Sequence, residues 1–249
     1  LDNIVTSIAA SSIFLFFVAF SGITFSSIFY FNLAFTFFSS LFIYSYLRND
    51  ENFSKTVIAS LGILLYLAIE LPSKLMLSYL LLAPILFFYH KAIRGIGRFR
   101  NQAVFKLILV SLSWSYSLLF VPILFYHSQI NSNDILLLLS LFLFIFAMTI
   151  PFELRDRTSD KHSGIINFAE KFGNKSSIVI SISLLFFGFI TEQFYLQNEL
   201  MSLFSLLFFL VSFVLVYLST KVSQHLFVLI FDGFIAIKYL TFFFGFYFV

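Results

Sequence analysis

The sequence predicts an all-α, polytopic membrane protein, and three observations carry that prediction. Of its 249 residues 60% are hydrophobic and 11% charged, whereas soluble domains carry about 25% charged residues. Its apolar segments repeatedly reach or approach the roughly 20 residues that let a helix cross a bilayer core of about 30 Å. They also lack the strict alternation of a lipid-facing strand. Helices remain as the spanning element, because each satisfies its own backbone hydrogen bonds where water is absent.

Apolar runs set against their polar interruptions give about nine spans, with edges read to within a few residues. They lie near residues 4–20, 29–47, 56–71, 75–89, 104–125, 134–152, 176–192, 200–219 and 224–247. The third and fourth are short and separated only by Glu70-Leu71-Pro72-Ser73-Lys74, so they can tilt or join differently. Nothing before Ile4 reads as a cleavable signal, since the apolar character continues without a small-residue cleavage site. A first residue of Leu1 rather than Met suggests that a short amino-terminal piece precedes it. Neither an internal repeat nor a low-complexity linker divides the chain, so residues 1–249 read as one transmembrane domain.

The bases sort by connection. Arg48 and Lys55 follow the second span, Lys91, Arg94, Arg98 and Arg100 the fourth, Arg155, Arg157, Lys161, Lys171 and Lys175 the sixth, and Lys221 the eighth. The odd-numbered connections hold essentially Lys74, beside Glu70, Asp134, Glu192 and Glu199. Under the positive-inside rule the amino terminus and even-numbered loops are cytoplasmic, with Val249 on the far side. The same rule favours a topological, headgroup-touching role for His90–Arg100 over a specific diphosphate site. Gly95 and Gly97 make that stretch pliable, but a G-x-G without a preceding strand is no nucleotide fingerprint. A net charge of +3 spread among loops gives no footprint for nucleic acid. The absence of cysteine excludes disulfides, thiol catalysis and cysteine-ligated metals.

One loop differs in kind. Pro151-Phe152-Glu153-Leu154-Arg155-Asp156-Arg157-Thr158-Ser159-Asp160-Lys161-His162-Ser163-Gly164 packs three acids, three bases and a histidine into fourteen residues. If the sixth helix runs on past Pro151, Asp156 and Asp160 share a face as i and i+4, with Glu153 a turn earlier on the same stripe. Two carboxylates a turn apart suit Mg²⁺, which keeps waters and shares one or two carboxylates with substrate phosphates. A solvated loop with local ion pairs fits the spacing equally well.

Asp156–Gly164, followed by Phe172-Gly173, resembles the second aspartate-rich motif of the UbiA-type intramembrane prenyltransferase superfamily, D-x-x-x-D-x-x-x-G and then a Leu- or Phe-Gly pair. Pro151–Asp156, Arg100–Lys106, Trp114, Pro122 and Phe231-Asp232-Gly233 are similar to a bacterial branch of that superfamily, over nearly the whole chain. The resemblance implies a ring of helices around a central cavity with polar motifs at its cytoplasmic mouth. It also implies Mg²⁺-assisted loss of diphosphate from an isoprenyl diphosphate, giving an allylic cation captured by an acceptor, in the bacterial inner membrane. It assigns Asp156 and Asp160 as the catalytic metal ligands with Asp50 as a third, and sets Arg48, Arg157 and Lys161 toward the diphosphate. Asn49, Glu153, Trp114 and Asp232 are its candidate cavity residues.

The first aspartate-rich motif departs from the family pattern. Asn49-Asp50 supplies the opening pair, but Phe53 stands where the aspartate a turn later belongs. That leaves a weakened or altered enzyme, a single-motif catalyst, or a relative that binds or transports prenyl lipids without turning them over. The acceptor leaves no signature in the sequence.

Among the remaining polar residues, Asp232 and Lys238 fall inside the last span, where ionisable groups are costly and face a cavity or a partner. Asp232 suits a cavity wall or a helix–helix hydrogen bond equally, and the long Lys238 stem can snorkel. Asp232–Ala236 is similar to the opening of the CDP-alcohol phosphatidyltransferase motif, a coincidence because Ile237 replaces its arginine. Most of the 40 phenylalanines and 12 tyrosines read as lipid-facing or interfacial bulk. His90, His127, His162 and His225 sit at span ends without ligand spacing.

Overall fold

The computed structural model describes residues 2–48, 54–82, 102–127, 129–162, 166–196 and 198–248. Every regular element among these residues is helical. We number the helices α1 (Asp2–Phe20), α2 (Ser27–Arg48), α3 (Lys55–Glu70), α4 (Ser73–Leu80), α5 (Ala103–Tyr126), α6 (Ser132–His162), α7 (Phe168–Phe172), α8 (Asn174–Tyr195), α9 (Glu199–Leu218) and α10 (Gln224–Phe248). Seven of them, α1, α2, α5, α6 and α8–α10, are long and apolar enough to cross a membrane.

The third predicted span forms as α3, but its 16 residues rise only about 24 Å, short of the bilayer core. The fourth is described only as α4, and residues 83–89 of the expectation lie outside the described residues. Many large apolar side chains are exposed along the helices. On α9, Leu203, Leu207, Leu210, Val214 and Tyr217 form an exposed stripe, while Met201, Ser205, Phe208, Ser212 and Val216 turn inward. Serines inside and leucines outside invert the soluble pattern, as expected where lipid is the solvent and small polar residues join helices.

The chain divides into two units, Leu1–Ser78 with His225–Val249, and Tyr79–Gln224. In the first, α1 packs on α2 and α2 on α3. Phe16, buried on α1, meets the rings of Tyr239, Phe242 and Phe246 on α10 at centroid separations of 5.4, 5.6 and 6.0 Å. Polar ties accompany the rings: Asn3 donates to Ser45 at 3.0 Å, and Thr6 donates to Asp232 at 2.5 Å.

In the second unit α6 is the spine, and α8 is its most extensive neighbour. The two approach closely because α8 presents small residues. Ser181 donates to the Ala147 carbonyl at 2.8 Å, and a Cβ at Gly188 would sit 3.4 Å from that of Leu143. α6 opens on a reciprocal cap in which the Asn131 side chain accepts from Asp134 N–H and Asp134 accepts from Asn131 N–H, both at 2.9 Å. His127 Nδ1 lies 3.0 Å from the same carboxylate. α5 contains a π-helical turn over Tyr116–Phe120, ending two residues before Pro122. Proline has no N–H for the α-helical ladder, and π turns absorb such interruptions.

α6 does not stop near residue 152. It continues through Pro151 to His162, 31 residues in all, or about 46 Å. Its polar end therefore runs well beyond a hydrocarbon thickness of about 30 Å. Under that end lies a core of Ala103, Leu107, Ile150 and Phe168, joined by Val104, Phe146, Ile180 and Leu184.

Candidate active site at the polar end of α6

Continuation of α6 places Glu153, Asp156 and Asp160 on one helical stripe. Their carboxylates then take different partners. Glu153, with 4% of its side chain exposed, receives the Lys106 ammonium at 2.7 Å on Oε1. Its Oε2 accepts the Phe168 N–H at 3.2 Å, at the start of α7. A buried carboxylate is tolerated when it is paired and its remaining lone pairs are used, and both conditions hold here.

Asp160 lies two turns further along. Its Oδ2 accepts from Asn167 Nδ2 at 2.7 Å and faces Lys106 Nζ at 3.5 Å. Asn167 is also the N-cap of α7, accepting the Ala169 N–H at 2.8 Å, so one amide fixes both the cap and Asp160. Lys106 belongs to the first turn of α5, which brings its base over the acidic stripe of α6.

Asp156 is held by its own neighbour. Arg155 donates from Nε to Oδ1 at 2.6 Å and from Nη2 to Oδ2 at 2.8 Å, and its guanidinium lies 5.0 Å from the Phe152 ring centre. Arg157 turns outward and donates to Asn174, the first residue of α8, at 2.8 Å. Lys161 is exposed. Between α7 and α8 stands Gly173 with φ +80° and ψ 155°, a conformation essentially reserved for glycine. The Phe172-Gly173 pair is thus the bend that seats α7 against α6.

A solved UbiA homolog from Archaeoglobus fulgidus bound to Cd²⁺ matches this structure with a TM-score of 0.62, over 99% of this chain and 98% of that one, at 17% sequence identity. The chain has a UbiA-like fold. No protein-family model matches the sequence, and no curated protein does.

Within the UbiA-like fold, Asp156, Asp160, Arg157 and Lys161 cluster at the end of α6 with Glu153, though Glu153 is the buried anchor of Lys106. Trp114 sits on α5 one residue before Ser115 and the π turn, half-buried. Asp232, for which a cavity wall and a helix–helix bond were equally suited, accepts the Thr6 hydroxyl of α1 while 7% exposed. Lys238 does not snorkel outward. It is 4% exposed, with its ammonium 5.4 Å from the Tyr239 ring and 5.7 Å from that of Phe242, where ring faces attract the charge. Asn49, Asp50 and Phe53, the Arg48 side chain, His90–Arg100, Ser163 and Gly164 lie outside the described residues.

Sequence reasoning missed Arg155, Asn167 and Asn174 as site residues, and used Lys106 only as part of a resemblance. Two signals were available. Asn167 followed three residues later by Glu170 has the form of a helix cap. Lys106 is an ionisable residue just inside a predicted span, where a partner is expected.

Among the described residues, no three histidine, aspartate or glutamate side chains form a group able to hold a metal ion. Asp156 and Asp160 are the carboxylates of this helix end whose oxygens are least committed. Both contacts of Asp160 fall on Oδ2, leaving Oδ1 outside them, and Asp156 is held only by a neighbouring, partly exposed arginine. Carboxylate oxygens are the donor type that Mg²⁺ takes, with water completing its shell.

Proposed function

We propose that this chain is a UbiA-type prenyltransferase that moves an isoprenyl group from an isoprenyl diphosphate to an acceptor, with Mg²⁺, at the cytoplasmic face of a bacterial inner membrane. One observation carries the reading: Asp156 and Asp160 stand a turn apart on the polar end of a long membrane-type helix, beside Lys106, Arg157 and Lys161, in a chain of UbiA-like fold. The bases of the even-numbered connections support the cytoplasmic side.

In this reading Asp156 and Asp160 would hold the metal, which when bound would supply Lewis-acid stabilisation to the leaving diphosphate. Arg157 and Lys161 bind phosphate oxygens and stabilise the negative charge that grows as the carbon–oxygen bond breaks. The electron pair leaves with the diphosphate, and the acceptor's nucleophile forms the new bond to the prenyl carbon. For Asp156 to serve, Arg155 has to release it, and the released guanidinium then joins the diphosphate-binding bases.

A non-catalytic prenyl-lipid binder or transporter is the second reading. It is favoured by the double hydrogen bond from Arg155 to Asp156 and by Phe53 in place of an acidic residue. Membranes containing the chain, incubated with labelled prenyl diphosphate, are expected to form a labelled lipid product only with Mg²⁺. Asp156→Asn and Asp160→Asn should abolish both product and Mg²⁺-dependent binding. Prenyl diphosphate binding indifferent to Mg²⁺ and to both substitutions, without product, would establish the carrier instead.

A further inference from the structure

Lys106 is the one base in direct contact with two acids of the α6 stripe among the described residues, and its two contacts differ in kind. The contact with Glu153 is short, at 2.7 Å, and Glu153 is pinned from its other side by the Phe168 N–H. The contact with Asp160, at 3.5 Å, is beyond ordinary hydrogen-bond length and is held by charge. Lys106 is therefore anchored on a residue that the proposed chemistry does not use, and loosely engaged with one that it does. Its side chain is 18% exposed, and a swing away from Asp160 would turn the donor that faces this acid toward a further oxygen ligand.

Charge makes the consequence directional. A lone divalent cation approaching Asp160 meets a carboxylate partly neutralised by Lys106 and already hydrogen-bonded by Asn167, and meets the ammonium itself at close range. A diphosphate reverses the balance, because its oxygens attract the ammonium and offer the cation new ligands. Resting on the function proposed above, we propose that Lys106 makes metal binding conditional on diphosphate. It guards Asp160 in the free protein and swings from Asp160 to a phosphate oxygen when the metal–diphosphate arrives, pivoting on Glu153. Lys106 is thus a positioning residue and a diphosphate ligand, and free Mg²⁺ is a poor ligand of the unliganded site.

The test follows Mn²⁺ binding by electron paramagnetic resonance on purified protein, with inorganic pyrophosphate as the probe. Wild type is expected to bind Mn²⁺ weakly alone and at least about tenfold more tightly with pyrophosphate, a modest fraction of what charges a few ångströms apart exert. Lys106→Met should bind Mn²⁺ alone at least about tenfold more tightly than wild type and gain little from pyrophosphate. Lys106→Arg, which keeps the charge, should behave as wild type. If loss of the ammonium unfolds the chain, Lys106→Met combined with Glu153→Gln removes both members of the ion pair and supplies a folded comparator with Asp160 equally unguarded. Pyrophosphate-enhanced Mn²⁺ binding in wild type, with Mn²⁺ affinity unchanged in the methionine variants, overturns the role of Lys106 and leaves the proposed function standing. Mn²⁺ binding that pyrophosphate does not enhance in wild type, and that Asp156→Asn and Asp160→Asn do not weaken, removes the metal–diphosphate site and this inference with it.

Discussion

Removing the Lys106 ammonium should destabilise the fold more than any change at the exposed end of α6. Lys106→Met leaves Glu153, only 4% exposed, with one backbone donor and with Asp160 as an acidic neighbour on the same stripe. Breaking a buried ion pair from one side costs about 3–5 kcal/mol, because the remaining charge stays desolvated. Glu153→Gln is milder. The amide oxygen still accepts from Phe168 N–H, and Lys106 still has Asp160 within 3.5 Å, so a loss of about 1–2 kcal/mol is expected for one weakened charged hydrogen bond. The double variant contains neither charge of the pair and should fall close to Glu153→Gln alone, giving a coupling as large as the Lys106→Met cost itself, about 3–5 kcal/mol. Equilibrium unfolding in mixed detergent micelles, followed by far-ultraviolet circular dichroism, measures all three. Additivity of the two single changes within about 0.5 kcal/mol would refute the reasoning, since independent sites add to that precision.

Further outcomes are expected by the same measurement. Gly173→Ala should cost about 1–3 kcal/mol for backbone reasons alone, since φ is +80° and nothing lies within 4 Å of the added Cβ. Gly62→Ala, equally open but helical in α3, should instead stabilise by about 0.5–1 kcal/mol. Thr6→Val removes the hydroxyl that meets Asp232 at 2.5 Å where both side chains are buried, and a loss of about 1.5–3 kcal/mol is expected for a hydrogen bond to a charged group. Asp232→Asn should recover part of that loss in the Thr6→Val background, and the absence of any recovery would place the carboxylate's role elsewhere.

Composition and span length determined the class of this protein. A chain so apolar, broken at intervals near a bilayer thickness, has no soluble way to hide its surface, and the helical answer follows from backbone hydrogen bonding alone. The stripe of Glu153, Asp156 and Asp160 was equally legible once α6 was taken to continue past Pro151, because i, i+3 and i+7 share a face whatever surrounds them. The pair Phe172-Gly173 was legible only as part of a resemblance, and its role as a bend came from the structure. Other features depended on residues far apart in sequence, which no helical periodicity relates. Lys106 meets Glu153 across 47 positions, Asn167 reaches back to Asp160, and Thr6 finds Asp232 at the other end of the chain. Tertiary packing also decided which acid each base would take. Arg155, adjacent to Asp156, captured it, while Glu153 and Asp160 went to a lysine from another helix. Charge pattern fixes how much acid and base share one end of a helix, but only the packed neighbours fix which of those charges are buried, and burial decides which pairings carry energy.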